Sequence, residues 1–345
     1  MVTVGVAPAG VTHAGREGVV MADQLHVVFG AHGPLGAAIV RHLARQGLPV
    51  RAVVRRTAAA RFTWSPRVEV FHGDALYRRS AIEAADGAAV VYRCIPVRYS
   101  LWADVWQTAT DNIIAAATQA RARLVSPGNV YVYGDYSEAP ADERHPLAPA
   151  GEKGSLRVAT QEALWRAHRE GRTEVVIPRA PDPFGPCVTN RVFGPIFEGA
   201  QHGRSAPWFG DPDVLRDLLF IDDIAAAAVL LGQTPDAYGQ VWHVPGAGPM
   251  TPREFIEKVY RAAGREPKLH QLSPAAVRLK GMVDAETREF LEFRYLFERP
   301  SVLDGSKFAA RFPDFEYTPH EQAIERTLDW FAARKAEEAM ERATC

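Results

Sequence analysis

The sequence predicts an α/β protein built on a doubly wound parallel sheet, and two patterns carry that prediction. The first is alternation: strand-like runs at Leu25–Phe29, Val50–Val54, Val68–Phe71, Ala88–Tyr92, Arg123–Ser126 and Glu174–Pro178 are separated by helix-patterned stretches such as Leu35–Gln46, Trp102–Ala120 and Leu156–Glu170. Continuous Val/Ile runs belong to strands buried on both faces, and strands alternating with helices imply parallel crossover units. The second is local: the first strand ends in Gly30-Ala31-His32-Gly33-Pro34-Leu35-Gly36, where a helix begins at once.

Taken in order, residues 1–22 are rich in Ala, Gly and Val with no basic segment ahead of the apolar part. They fail as a secretory signal and are expected to form a flexible tail. Residues 23–186 carry the alternating pattern and are expected to fold as a Rossmann-type, NAD(P)-binding domain. After Pro186 the rhythm changes. Residues 187–215 are Gly- and Pro-rich apart from a short helix near Val192–Gln201. Ile221–Gly232 is helical, Gln240–Val244 strand-like, Thr251 caps a helix running to about Ala263, and a charged amphipathic helix runs from Glu321 to about Glu341. Residues 187–345 are thus expected to form mainly a smaller substrate-binding region, with segments near 216–245 returning to the first domain.

Composition narrows the function classes. With 47% hydrophobic and 23% charged residues, the 345-residue chain has the balance of a soluble globular protein, not of a disordered chain or a membrane bundle. Lys+Arg number 40 against 41 Asp+Glu, a net charge of -1, so no basic field points to nucleic acid. The longest apolar stretch, around Ile224–Leu231, is far short of the ~18 residues of a membrane span. The cysteines, Cys94, Cys187 and Cys345, form neither a disulfide framework nor a metal-binding spacing. Glu69 and His72 are three apart on a strand and point to opposite faces, so no catalytic metal is expected. No Gly-x-Ser-x-Gly elbow supports a hydrolase. A cytoplasmic enzyme acting on a small molecule, with no nucleic-acid or membrane partner, is the expectation.

In the glycine turn, Gly30, Gly33 and Gly36 permit a tight bend and close approach of the backbone to a pyrophosphate. His32, Pro34 and Leu35 lead into a helix whose N-terminus offers N–H groups to the anion. Cofactor choice is set after the second strand, where an acid would bind the ribose 2′-hydroxyl and an arginine a 2′-phosphate. Arg55 and Arg56 stand there with no acid in the run, which favours NADP(H) over NAD(H), unless they are simply solvated surface residues. Asp74 and Ala75, after the third strand, are placed for the adenine end.

These residues resemble the extended branch of the short-chain dehydrogenase/reductases, the NAD-dependent epimerase/dehydratase family. The resemblance runs from about Leu25 to Phe331. It rests on the glycine loop, Gly73-Asp74, Asp111-Asn112-Ile113, Val130-Tyr131-Val132-Tyr133-Gly134, Phe184-Gly185-Pro186, Arg216–Asp223 and Asp304-Gly305-Ser306-Lys307. It implies a Ser or Thr after the fifth strand and a Tyr-x-x-x-Lys on the next helix, the lysine making a tyrosine of pKa about 10 useful near neutrality. None of the ten tyrosines is followed by a lysine four residues on. By position Lys153 stands for the tyrosine, Arg157 for the lysine and Asn129 for the Ser/Thr. The chain thus resembles an atypical subgroup with Asn-x-Tyr-x-Tyr-Gly and Lys-Gly-x-x-Arg.

The candidate catalytic set is therefore Tyr131 as acid and Asn129 as its orienting partner, with Tyr133 and Lys153 as alternatives. Arg157 is the candidate contact to the cofactor ribose or phosphate. By resemblance Arg216 and Arg299 bind a substrate phosphate; alternatively Arg216 pairs with Asp222 or Asp223. Trp102, Phe193, Trp208 and Phe209 are candidates to line an apolar substrate pocket. Three functions fit. The first is an NADP(H)-dependent oxidoreductase that reduces a carbonyl or activated alkene without the Tyr-x-x-x-Lys pair. The second is a nucleotide-sugar epimerase or dehydratase, and the third a non-catalytic dinucleotide-binding sensor. Helices 102–120 and 153–170 pair into homodimers in many relatives.

Overall fold

The computed structural model describes residues 24–344 apart from 56–63, 96, 98–100, 285–286 and 289–290. The expected tail, residues 1–22, and Arg56 lie outside the described residues. The chain opens with β1 (Leu25–Phe29), α1 (Pro34–Arg45), β2 (Val50–Val54), β3 (Val68–His72), α2 (Arg78–Ala84), β4 (Ala88–Arg93) and α3 (Trp102–Ala120). It continues with β5 (Arg123–Val125), β6 (Gly128–Asn129), α4 (Glu152–Arg169), β7 (Val175–Ala180) and β8 (Pro183–Phe184). Then follow α5 (Gly194–His202), β9 (Ala206–Trp208), β10 (Leu219–Phe220), α6 (Ile221–Gln233), β11 (Val241–His243), α7 (Pro252–Ala262), β12 (Leu269–Gln271) and α8 (Pro274–Val283). Helices Ser306–Arg311 and His320–Thr344 close it.

The main sheet has the order β3-β2-β1-β4-β5-β7-β11, with β6 also paired to β7, and every pairing is parallel. The chain winds outward from β1 to β3, then crosses back to β4 on the other side of β1. That reversal leaves a crevice at the carboxyl ends of β1 and β4, the place where open α/β sheets bind ligands. Val27, Val28, Val90, Val91, Val175 and Val176 are fully buried, since helices cover both faces. Residues of α1 and α6 join one face's core, and those of α2, α3 and α4 the other's. Edge strand β3 is covered less, with Glu69, Val70 and His72 exposed.

A third core, dominated by Phe184, Phe193, Phe197, Phe255 and Phe297, holds together the segments after Pro186 expected on the substrate side. The strand expected at Gln240–Val244 is β11, and it extends the main sheet beside β7. Thr251 caps α7 through a reciprocal box: its Oγ1 accepts from Glu254 N at 3.2 Å and its own N–H donates to Glu254 Oε2 at 2.8 Å. Helices α2 and α8 and the pairing of β9 with β12 were not evident from periodicity; the two paired strands have three residues each. Among the described residues no helix is long and apolar enough to cross a membrane, and no three His, Cys, Asp or Glu gather as a metal site.

Candidate active site

The glycine loop owes its shape to backbone crowding. Gly30 sits at φ +77°, and a Cβ on it would lie 2.3 Å from the carbonyl oxygen of Cys94. A Cβ on Gly36 would lie 2.3 Å from the Gly30 oxygen, so α1 and β1 approach closely only without side chains there. Gly33 N–H donates to Gly30 O at 2.9 Å and closes the turn. Gly33 is then the N-cap of α1, Pro34 its first residue, and no acid stands in the first turn. The first N–H groups of α1, including those of Leu35 and Gly36, lack partners one turn back and suit an anion.

Beside this loop a cavity of about 230 Å³ is lined by Gly30, His32, Arg55, Asp74 and Ala75, with Val53, Ile95 and Val105 among its apolar walls. Five residues proposed from sequence for the cofactor therefore share one cavity. The structure adds Asn112, whose Nδ2 donates to Ala75 O at 2.9 Å and holds the Gly73–Ala75 turn. Asp74 Oδ1 accepts from Leu76 N at 3.0 Å. The glycine turn, the helix N-terminus and this cavity at the carboxyl ends of β1 and β2 fit the phosphates and adenosine of a dinucleotide.

Asn129 ends β6 and leads into a short 3-10 turn, Val130–Val132. Its Oδ1 is buried without a partner among the described residues. Tyr131 is buried, its ring stacked on Phe293 with centroids 3.9 Å apart, and its hydroxyl donates to Asp182 Oδ1 at 3.3 Å. The other Asp182 oxygen accepts from Arg216 Nη2 at 3.4 Å. Burial raises the Asp182 carboxyl above the ordinary carboxylate range, opposed by the Arg216 charge and by the Tyr131 hydrogen bond. Lys153, in the first turn of α4, donates its backbone N–H to Glu292 Oε1 at 2.7 Å, and its Nζ lies 3.5 Å from Glu292 Oε2. Two consecutive residues of the substrate-side region, Glu292 and Phe293, thus hold Lys153 and Tyr131.

Two candidates, Tyr133 and Phe193, are packed into the core. Tyr133 is a core residue, not a free acid. It is fully buried, its oxygen accepts from Arg179 Nη1 at 2.6 Å, and the same hydroxyl is 2.6 Å from His243 Nε2. His243 Nδ1 lies 3.2 Å from Asp304 O, so its proton is on Nδ1 and Tyr133 donates to Nε2. Burial, then the Arg179 charge, pushes this histidine down to about 3 and keeps it neutral. Phe193 is fully buried among Phe184 and Phe255 and is not among the residues lining the 230 Å³ cavity. Trp102 lies at the start of α3 with its indole N–H on Val97 O, stacked on Trp106 and under the Arg157 guanidinium, and it belongs to the same core as Phe184 and Phe297.

Arg216 is 2% exposed, with its guanidinium carbon 4.5 Å from the Phe297 ring centroid and 5.4 Å from that of Trp208. Its carboxylate partner is Asp182, not Asp222 or Asp223. Asp222 instead pairs with Arg41 and Arg326, and Asp223 caps Thr318. Nε and Nη1 of Arg216 are buried and have no hydrogen-bond partner among the described residues. Trp208 and Phe297, with Phe209 and Arg191, also wall a cavity of about 130 Å³. Arg299 is on the surface, ion-paired with Asp135, two residues before Ser301, which bridges to Arg216. Sequence reasoning missed Asp182 and Glu292. Asp182 had a signal in Pro181-Asp182-Pro183, at the carboxyl end of β7; Glu292 had none.

A parallel sheet wound both ways, with a glycine turn at its first strand–helix junction and a polar cluster at its carboxyl edge, defines the class of dinucleotide-binding α/β proteins. Residues 26–244 match the model of the NAD dependent epimerase/dehydratase family, and the chain belongs to that family of enzymes. It is similar to a dTDP-glucose 4,6-dehydratase of Streptomyces niveus, 28% identical over 159 residues, 45% of this chain and 46% of that protein. A dTDP-glucose 4,6-dehydratase of Haemophilus influenzae is 24% identical over 228 residues, 66% of this chain and 64% of that one. The chain therefore spans between about half and two thirds of these relatives' lengths. Among solved structures, DesIV, a dTDP-glucose 4,6-dehydratase from Streptomyces venezuelae with NAD bound, superposes with a TM-score of 0.72 at 19% identity. The match covers 91% of this chain and 98% of that one, and the likeness is one of fold.

Proposed function

We propose that the protein is a nicotinamide-dinucleotide-dependent enzyme that oxidises and transforms a sugar esterified to a nucleoside diphosphate. The observation that carries this is Arg216. A guanidinium buried to 2% exposure, facing one carboxylate at 3.4 Å and retaining two buried nitrogens, Nε and Nη1, without acceptors, is costly unless a ligand supplies them. A diphosphate meets that need, because its oxygens match the planar fork of arginine. The adjoining aromatic cavity suits a flat base. The relatives' names favour this reading over reduction of a small carbonyl or alkene, the first function considered from sequence.

Bound at the β1–β4 crevice, the nicotinamide supplies the hydride acceptor and donor. The chain's own part is proton handling and placement. Tyr131 is placed to take the proton of the sugar hydroxyl as its own phenolic proton moves along the hydrogen bond to Asp182 in the same step. Arg216 orients the diphosphate, and Arg157 and Asn129 hold the edge of the nicotinamide half. Arg55, beside the adenosine cavity with no acid at the end of β2, favours NADP(H) over NAD(H). The expected homodimer through α3 and α4 belongs to the same proposal, and sedimentation velocity reads it out.

The test is turnover of UDP- and dTDP-hexoses with either dinucleotide, followed by chromatography of the nucleotide sugars. Conversion that disappears in Tyr131→Phe is the expected result. Binding of dinucleotide with no binding or conversion of any nucleotide sugar overturns the proposal and leaves the sensor reading.

A further inference from the structure

Three arginines line a third, much smaller cavity of about 20 Å³ beside Asn129. Arg93 leaves the end of β4, Arg157 the early turns of α4, and Arg179 β7. Ser126, Asn129, Thr160 and Gln161 add polar lining, and no Asp or Glu is among the lining residues.

Arg93 and Arg179 are 3% and 2% exposed, and among the described residues neither forms an ion pair. Arg93 Nη2 donates to Thr110 Oγ1 at 2.7 Å, and its guanidinium lies 4.6 Å from the Trp106 ring centroid. Arg179 donates to the Tyr133 hydroxyl and to Gln161 Oε1. The Nε atoms of both are buried without an acceptor. Arg157 stacks over Trp102 and Trp106 at 4.6 and 4.2 Å. Burial and then the Arg157 charge bring Arg93 down to about 9, so these two cations feel each other. Glu143, the acid that acts on Arg179, spends Oε1 on the His243 backbone N–H at 2.9 Å. Arg93 and Arg179 thus bring two buried guanidinium groups to the hole, with that of Arg157 beside them.

We propose that Arg93, Arg157 and Arg179 together hold one small monovalent anion in the cavity beside Asn129. The space admits a body about as large as a water molecule or a halide ion, and it is too small for a ribose or a sugar ring. A carboxylate reaching in through the open side places an oxygen there equally well. Asn129 fits once its amide is turned, because Nδ2 then points where the partnerless Oδ1 now does. The anion is either a free ion from solution or an acidic group carried on the substrate. The site itself does not rest on the nucleotide-sugar reading; only the second source does.

Bromide is the probe. Crystals of the full chain soaked in bromide should show one anomalous peak in this cavity. In solution bromide should quench tryptophan fluorescence saturably, since Trp106 touches two of the arginines. Arg93→Met and Arg179→Met should each weaken that binding at least tenfold. If either variant fails to fold, the melting temperature of the unmutated protein decides: it should rise saturably in bromide and not in a bulky sulfonate of equal ionic strength. Displacement of bromide by a nucleotide-linked uronic acid, but not by the matching hexose, assigns the anion to the substrate. Bromide binding indifferent to both assigns a free ion. No peak, or a peak in crystals with no saturation in solution and melting that follows ionic strength alone, overturns the proposal, whatever the nucleotide-sugar assays show.

Discussion

Tyr131 and Tyr133 are two residues apart and both buried, yet their surroundings give them opposite tasks. Tyr131 reaches a carboxylate at the edge of the substrate-side region, whereas Tyr133 ties Arg179 to a neutral His243 inside the core. Tyr131→Phe should abolish turnover while shifting the urea midpoint little. Tyr133→Phe should cost roughly 2 kcal/mol of stability, because two buried polar groups lose their partner, while the protein that remains folded keeps its activity. Urea melts run beside turnover assays separate the two. The end of the fifth strand pointed to Tyr131, and resemblance by position to Asn129 and Arg216. Their partners did not show in sequence: Asp182 lies 51 residues from Tyr131 and Glu292 139 from Lys153, so only the folded chain brings them together.

The elements themselves were largely legible because their causes are local. The valine runs of β1, β2, β4 and β7 announce strands covered on both sides, and Gly33-Pro34 announces the start of α1. Gly36→Val should be far more damaging than a surface change, since even a Cβ there meets the Gly30 carbonyl at 2.3 Å and the loop or helix must move. Loss of both thermal stability and dinucleotide binding is the expected outcome, read by melting and titration. Thr251→Ala removes one half of a capping box and should cost about 1 kcal/mol, leaving dinucleotide binding intact. The short strands β9 and β12 escaped notice for a physical reason. Three residues carry too little periodicity, and their pairing joins segments about sixty residues apart.

Across the whole molecule, buried titratable groups set the response to pH. Burial pushes His26 down to about 4 and His243 to about 3, while the unfolded chain takes up those protons near 6.5. Their stability contribution is therefore complete above about pH 6.5 and is lost as pH falls toward 4 and 3, with His26 alone responsible for roughly 3 kcal/mol. Asp217 works the other way. Burial raises it to about 7, so its contribution is present at low pH and is lost as pH rises from about 4 to 7. Urea midpoints measured against pH should flatten between 6.5 and 4 in His26→Gln and between 4 and 7 in Asp217→Asn. At this scale the doubly wound parallel class follows from the βα rhythm, whereas the order of its strands and the C-terminal region, built on aromatic packing from dispersed segments, show only in the folded chain.

The central claim joins the two halves: a dinucleotide in the β1–β4 crevice and a nucleoside diphosphate on Arg216. Calorimetric titration of the protein, loaded with NADP+ or NAD+, with dTDP-glucose and UDP-glucose tests it most directly, with Arg216→Met in parallel. The account predicts saturable binding of at least one nucleotide sugar, weakened at least tenfold in the variant while its dinucleotide binding is unchanged. Equal affinity in both proteins, or no binding of either sugar nucleotide to a dinucleotide-loaded protein, contradicts it.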